Sequence, residues 1–152
     1  MTLNITVLTM GIFDKLFSTV PSYIPYTPKS EEEAWIAIMY ACMEADGYAS
    51  ETEIKKLFQV LRKQPLFKTK HIADYYQPAM LAHRVVGGKM LVDASIPFIS
   101  QNHKALLFSL IMELLLADGI LTETEKEIAA YLTHTLPLET ASAQKIVNDI
   151  LA

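Results

Sequence analysis

One phrase occurs twice in this chain and limits how it can fold: Ala45-Asp46-Gly47-Tyr48-Ala49-Ser50-Glu51-Thr52-Glu53 and, 72 residues further on, Ala117-Asp118-Gly119-Ile120-Leu121-Thr122-Glu123-Thr124-Glu125. Six of the nine positions are identical. Each copy follows an apolar stretch of helical spacing and precedes a second helical pattern, so the repeated unit is a helix, a short acidic loop and another helix. A duplicated hairpin of this kind organises the chain around it.

The flanking segments agree with that reading. Ser30-Glu31-Glu32-Glu33 has the Ser-x-x-Glu form of a capping box and should open a helix running to about Ala45. Trp35, Ile38, Met39, Cys42 and Ala45 fall on or near one of its faces, and Gly47 is placed to end it. Ser50 and Glu53 form a second box, followed by Ile54, Leu57, Phe58 and Leu61 at the spacing of a buried stripe, with a stop before Pro65. Pro78, Gly87-Gly88 and Pro97 cut the next stretch into short pieces. Three short helices are expected there, about Lys70 to Tyr76, Pro78 to Val86 and Lys89 to Ser95, with Tyr75 and Tyr76 wedging them into the core.

From about Ser100 a strong helix should run to Ala117. Its leucines are distributed almost all round, which predicts a central helix buried on most sides. Gly119 ends it, and Thr122 with Glu125 forms a third box that starts a helix with Ile128, Ala129 and Leu132 inward. A last helix follows Pro137, about Glu139 to Leu151. No stretch shows strand alternation between hairpin turns. The expected fold is all-α, with two helix-loop-helix repeats that could pack pseudo-symmetrically.

Ahead of this body, residues 1–29 read as an amphipathic segment and a Pro-rich linker, and residues 30–152 as the helical domain. Ile12, Phe13, Leu16, Phe17 and Val20 recur at helical spacing. Such a helix can dock on its own core, on a partner or at a membrane interface. Pro21, Pro25 and Pro28 should keep the connection extended.

Composition narrows the function. A formal charge of −4 with no basic cluster argues against nucleic acid. Cys42 is the only cysteine, so no intramolecular disulfide can form and a reducing, cytoplasmic setting is expected. The longest apolar run, Ala105 to Ala117, contains Glu113 and is too short for the roughly 20 residues of a membrane span. Set on the calcium loop of an EF-hand, Asp46, Gly47 and Glu53 take loop positions five, six and twelve, as do Asp118, Gly119 and Glu125. Positions one and three would then be Cys42 and Glu44, or Leu114 and Leu116, and neither loop supplies a cage of six oxygens.

Much of the phrase has a structural reason. Gly47 and Gly119 suit left-handed helix ends, Ser50 and Thr122 suit helix caps, and Glu53 and Glu125 close the boxes. Asp46 and Asp118 are less easily explained, because an acid in the last turn of a helix opposes the dipole. Their partner is either a loop amide or a bound cation. Asp46, Glu51, Glu53, Asp118, Glu123 and Glu125 are therefore the candidate metal ligands, for Ca²⁺ or a similar divalent ion. His71, His83, His103 and His134 lack metal-ligand spacing, and Gly87-Gly88 lacks the pattern of a phosphate loop. No catalytic residues are expected.

Two Ala-Asp-Gly loops, each followed by Ser or Thr and acidic residues in an all-helical chain, resemble the tellurite-resistance TerB family. Gly11-Ile12-Phe13-Asp14-Lys15-Leu16-Phe17 is similar to the start of such proteins. The resemblance covers roughly Ser30 to Ala152 and implies a compact bundle of about seven helices and a non-enzymatic role in bacterial stress response. It also implies an acidic surface that binds metal ions, carried by Asp46, Glu51, Glu53, Asp118, Glu123 and Glu125. Other stress-response proteins would be its partners. The alternative is a protein-protein or membrane-surface interaction module without metal, in which Ile12, Phe13, Leu16 and Phe17 touch a membrane peripherally.

Overall fold

The computed structural model describes residues 26–45, 47, 49–117, 119–120 and 122–152. They form seven α-helices and, among the described residues, no strand. These are α1 (Glu31–Glu44), α2 (Glu51–Arg62), α3 (Ile72–Val86), α4 (Gly88–Ser95), α5 (Lys104–Leu115), α6 (Glu123–Thr135) and α7 (Thr140–Leu151). The expected N-terminal helix around Ile12, Phe13, Leu16 and Phe17 lies outside the described residues, as does most of the Pro-rich linker. Among the described residues no helix is long and apolar enough to cross a membrane. The chain divides into two compact units, whose described parts are residues 26–99 and 100–152.

The first unit is built on α1, which packs against α3 and α4. Every residue from Glu33 to Met43 is buried, so the helix is covered all round and not on one stripe. The composition explains this: past Glu33 each position is apolar or aromatic, and Ala34, Ala37 and Ala41 keep the helix slim enough for close neighbours. The Trp35 indole donates to Glu31 Oε2 at 3.1 Å, which satisfies its polar edge inside the core. Its ring meets Phe67 edge-on, with centroids 6.0 Å apart. At the N-terminus Ser30 Oγ accepts from the Glu33 amide at 3.1 Å. The reciprocal half of the expected box is replaced, because Glu33 Oε2 accepts from the Tyr26 hydroxyl at 2.6 Å.

Two of the three short helices expected after Lys70 are in fact one. The helix α3 runs through Pro78, which removes one backbone donor and crowds the carbonyl of Asp74. Packing outweighs that cost of about 3 kcal/mol. Ile72, Ala79 and Val86 are buried, while Tyr76 lies edge-on against both Tyr40 (5.5 Å) and Phe58 (5.4 Å), and Tyr75 against Phe67 (6.2 Å). The two tyrosines thus wedge the helix in place, as their position in the sequence suggests. Gly87, at φ 81°, takes the left-handed turn that separates α3 from α4.

In the second unit α5 packs against α6 and α7. The helix is shorter than its apolar run: Gln101–His103 is a 3₁₀ turn and the last helical residue is Leu115. Leu107, Phe108, Leu110, Ile111 and Met112 are buried, but Leu106 is 38% exposed and Glu113 is exposed. The helix covered all round is α1, and α5 keeps an open side. On α6 Ile128 to Thr133 are buried in an unbroken run, and on α7 Ala143 and Val147 face inward.

Candidate functional site: two acidic loops built alike

The two copies of the repeated phrase fall one in each unit, and the backbone of each follows the same plan. In the first, α1 ends at Glu44, the Gly47 amide donates to Glu44 O at 3.1 Å, and Gly47 has φ 132°. In the second, α5 ends at Leu115, the Gly119 amide donates to Leu116 O at 2.9 Å, and Gly119 has φ 76°. Both values lie where side chains beyond glycine are strained, which explains Gly at this step of both copies.

Both capping boxes after the glycines are complete. Ser50 Oγ accepts from the Glu53 amide at 3.2 Å, and Glu53 Oε1 accepts from the Ser50 amide at 3.0 Å. Thr122 Oγ1 accepts from the Glu125 amide at 3.1 Å, and Glu125 Oε1 accepts from the Thr122 amide at 3.0 Å. The cap residues have nearly the same backbone, φ −72° and ψ 163° for Ser50, φ −78° and ψ 162° for Thr122. Each cap contributes on the order of 1 kcal/mol.

The expected metal ligands are thereby placed individually. Glu53 and Glu125 each have one oxygen committed to a backbone amide. Glu51 and Glu123 open their helices, where a carboxylate complements the positive helix end. Their side chains are 86% and 74% exposed, and they pair with Lys55 (3.6 Å) and Lys126 (3.0 Å) respectively. Such exposed pairs are weak, of order 0.2 to 1 kcal/mol. Asp46 and Asp118 lie outside the described residues. Among the described residues no three His, Cys, Asp or Glu side chains come together as a chelating group. A hard cation wants six or more oxygens, and the described residues of neither loop gather such a set.

One residue important to the first loop lies just before the phrase. Glu44 Oε2 accepts from the Ala49 amide at 3.2 Å, and its Oε1 accepts a 2.5 Å hydrogen bond from the Tyr40 hydroxyl. Burial pushes the Tyr40 phenol above its usual range, and the bond to Glu44 and the Glu44 charge push the same way. Tyr40 also stacks edge-on with His83 at 5.3 Å. Burial lowers the His83 pKa, against a smaller upward pull from Glu44. The first loop is thus tied through Glu44 to α1 and, by ring contacts, to α3. In the second copy the residue equivalent to Glu44 is Leu116, 3% exposed, so the same step is apolar there. The signal for Glu44 was in the sequence: a tyrosine four residues before a glutamate, absent from the second copy.

Cys42 is fully buried, and burial alone pushes its thiol far above the ordinary range, so it packs as a small apolar group. His71 caps α3 by position without a side-chain bond and is exposed. No protein-family model, curated protein or solved structure matches this chain.

Proposed function

We propose that this chain is a non-enzymatic, cytoplasmic stress-response protein of the TerB type, whose working surface is the pair of acidic loops and whose ligand is a divalent cation. The observation that carries the reading is that two loops 72 residues apart share a positive-φ glycine, a complete capping box and a solvent-facing glutamate at the helix start. Capping accounts for Gly47, Ser50 and Glu53 and for Gly119, Thr122 and Glu125. It makes no demand for Asp46 and Asp118, which add negative charge to loops already acidic. The resemblance of the doubled phrase to the TerB family supplies the physiological context, and other proteins of that response are the expected partners.

Calorimetry with Ca²⁺, Mg²⁺, Mn²⁺ and Zn²⁺ tests the reading. Wild type should bind, and the Asp46→Asn, Asp118→Asn double variant should lose the heat while keeping its helical content. Absence of binding at about millimolar metal, the weak end of known carboxylate sites, would sink it.

A second reading, an interaction module without metal, is favoured by Leu81 and Val85. They lie four residues apart on α3 and are 53% and 54% exposed. If binding to a protein or membrane surface is the function, removal of residues 1–18 should abolish recovery of that partner and leave folding intact.

A further inference from the structure

The first repeat carries a connection that the second lacks. Glu44 ends α1 with both carboxylate oxygens engaged: the Tyr40 hydroxyl donates to Oε1 at 2.5 Å and the Ala49 amide to Oε2 at 3.2 Å. The second of these bonds spans the glycine turn, from the last residue of the helix to the residue before the Ser50 cap. At the same steps of the second repeat, 72 positions on, stand Met112 and Leu116, both buried and neither able to supply a carboxylate or a hydroxyl.

An ionisable ring lies beside this connection. His83 on α3 is half-buried and edge-on to Tyr40, with centroids 5.3 Å apart. Tyr76 meets the same tyrosine edge-on at 5.5 Å, and Phe58 of α2 closes on Tyr76 at 5.4 Å. On the side of α4, the Gly87 amide donates to the His83 carbonyl at 2.9 Å. The charged groups at this place are Glu44 and Arg84. Glu44 acts on His83, Tyr40 and Tyr76, and Arg84 acts on the two tyrosines. A neutral imidazole suits such a site, because it packs by its ring. Imidazolium brings a charge and a second N–H donor, and it needs an acceptor for both.

We propose that protonation of His83 draws the Glu44 carboxylate off the Ala49 amide and frees the first acidic loop, so that acid unlatches one repeat and leaves the other closed. Both Glu44 oxygens already hold a neutral donor, and the Ala49 bond is the longer of the two, so it is the one that yields. A charge-assisted bond from imidazolium is roughly twice as strong as the amide bond it displaces. The sign agrees with the surroundings of the ring. Burial lowers the His83 pKa in the latched state, so the latch holds fully above the ordinary value of 6.5 and weakens as pH falls below it. No cation enters this device, which therefore stands or falls apart from the reading of the loops as a metal surface.

The test is NMR on the metal-free full chain, following amide exchange and the His83 ring together between about pH 7.5 and pH 5. Exchange is expressed as protection relative to an unstructured amide, which removes the intrinsic pH dependence and leaves the local opening. Protection of the Ala49 amide should fall by about tenfold for each pH unit between 6.5 and the ring's pKa in the latched state, the slope of a one-proton event. The fall should track the His83 ring titration, while the Gly119 amide keeps its protection. His83→Gln should leave Ala49 without this step. Glu44→Gln removes the carboxylate that imidazolium seeks and should abolish the step as well. Circular dichroism confirms that each variant is folded, and the wild-type comparison of Ala49 with the ring decides the matter even where a variant does not fold. A step at Ala49 that survives His83→Gln, an equal step at Gly119, or a ring that titrates while Ala49 stays protected would overturn the proposal.

Discussion

At the scale of single residues, Glu44 and His83 show how a buried polar group is made tolerable. Glu44 gives one oxygen to the Tyr40 hydroxyl and the other to the Ala49 amide, so a carboxylate at the end of α1 is fully engaged despite facing the negative end of the dipole. His83 is half-buried against Tyr40 and has its pKa lowered, first by burial, with Glu44 pulling weakly upward. The folded chain therefore prefers the neutral ring. The stability it contributes is complete above the unfolded pKa of 6.5 and is lost as pH falls through the folded value. Urea midpoints should thus decline between about pH 7.5 and pH 5.5, and His83→Gln should flatten part of that decline. Glu44→Gln should steepen it, because the charge that favours imidazolium is gone. An unchanged slope in His83→Gln would show that the ring does not titrate differently on folding.

At the scale of elements, the fold is legible in the sequence where local chemistry decides. Ser50 with Glu53 and Thr122 with Glu125 predict where α2 and α6 begin, and the glycines three residues earlier predict the positive φ that precedes them. It is not legible where packing overrides local preference. Ser30 and Glu33 have the same spacing as the other boxes, yet Glu33 turns to the Tyr26 hydroxyl, a partner no local pattern reveals. Pro78 looks like a helix break and lies inside α3, because the ring contacts of Tyr75 and Tyr76 and the burial of Ala79 hold both halves in line. If packing is what carries the helix through, Pro78→Ala should restore a donor to the Asp74 carbonyl and raise stability by about 1 to 3 kcal/mol in urea unfolding. A neutral or destabilising result would mean that the proline ring itself makes contacts worth as much as the lost bond.

At the scale of the whole molecule, the duplicated phrase links two units that share a local plan without sharing all their chemistry. Each copy stops a helix with a positive-φ glycine and starts the next with a reciprocal box, but the first copy's Glu44 corresponds in sequence to Leu116 and its Lys55 to Glu127. The described hydrogen bonds of each box stay within three residues of sequence, and no partner is common to the two. Independent sites of this kind add. Ser50→Ala and Thr122→Ala should each cost about 1 kcal/mol, and the double variant should cost their sum within about 0.5 kcal/mol. Chemical denaturation of the two single variants and the double variant measures this directly.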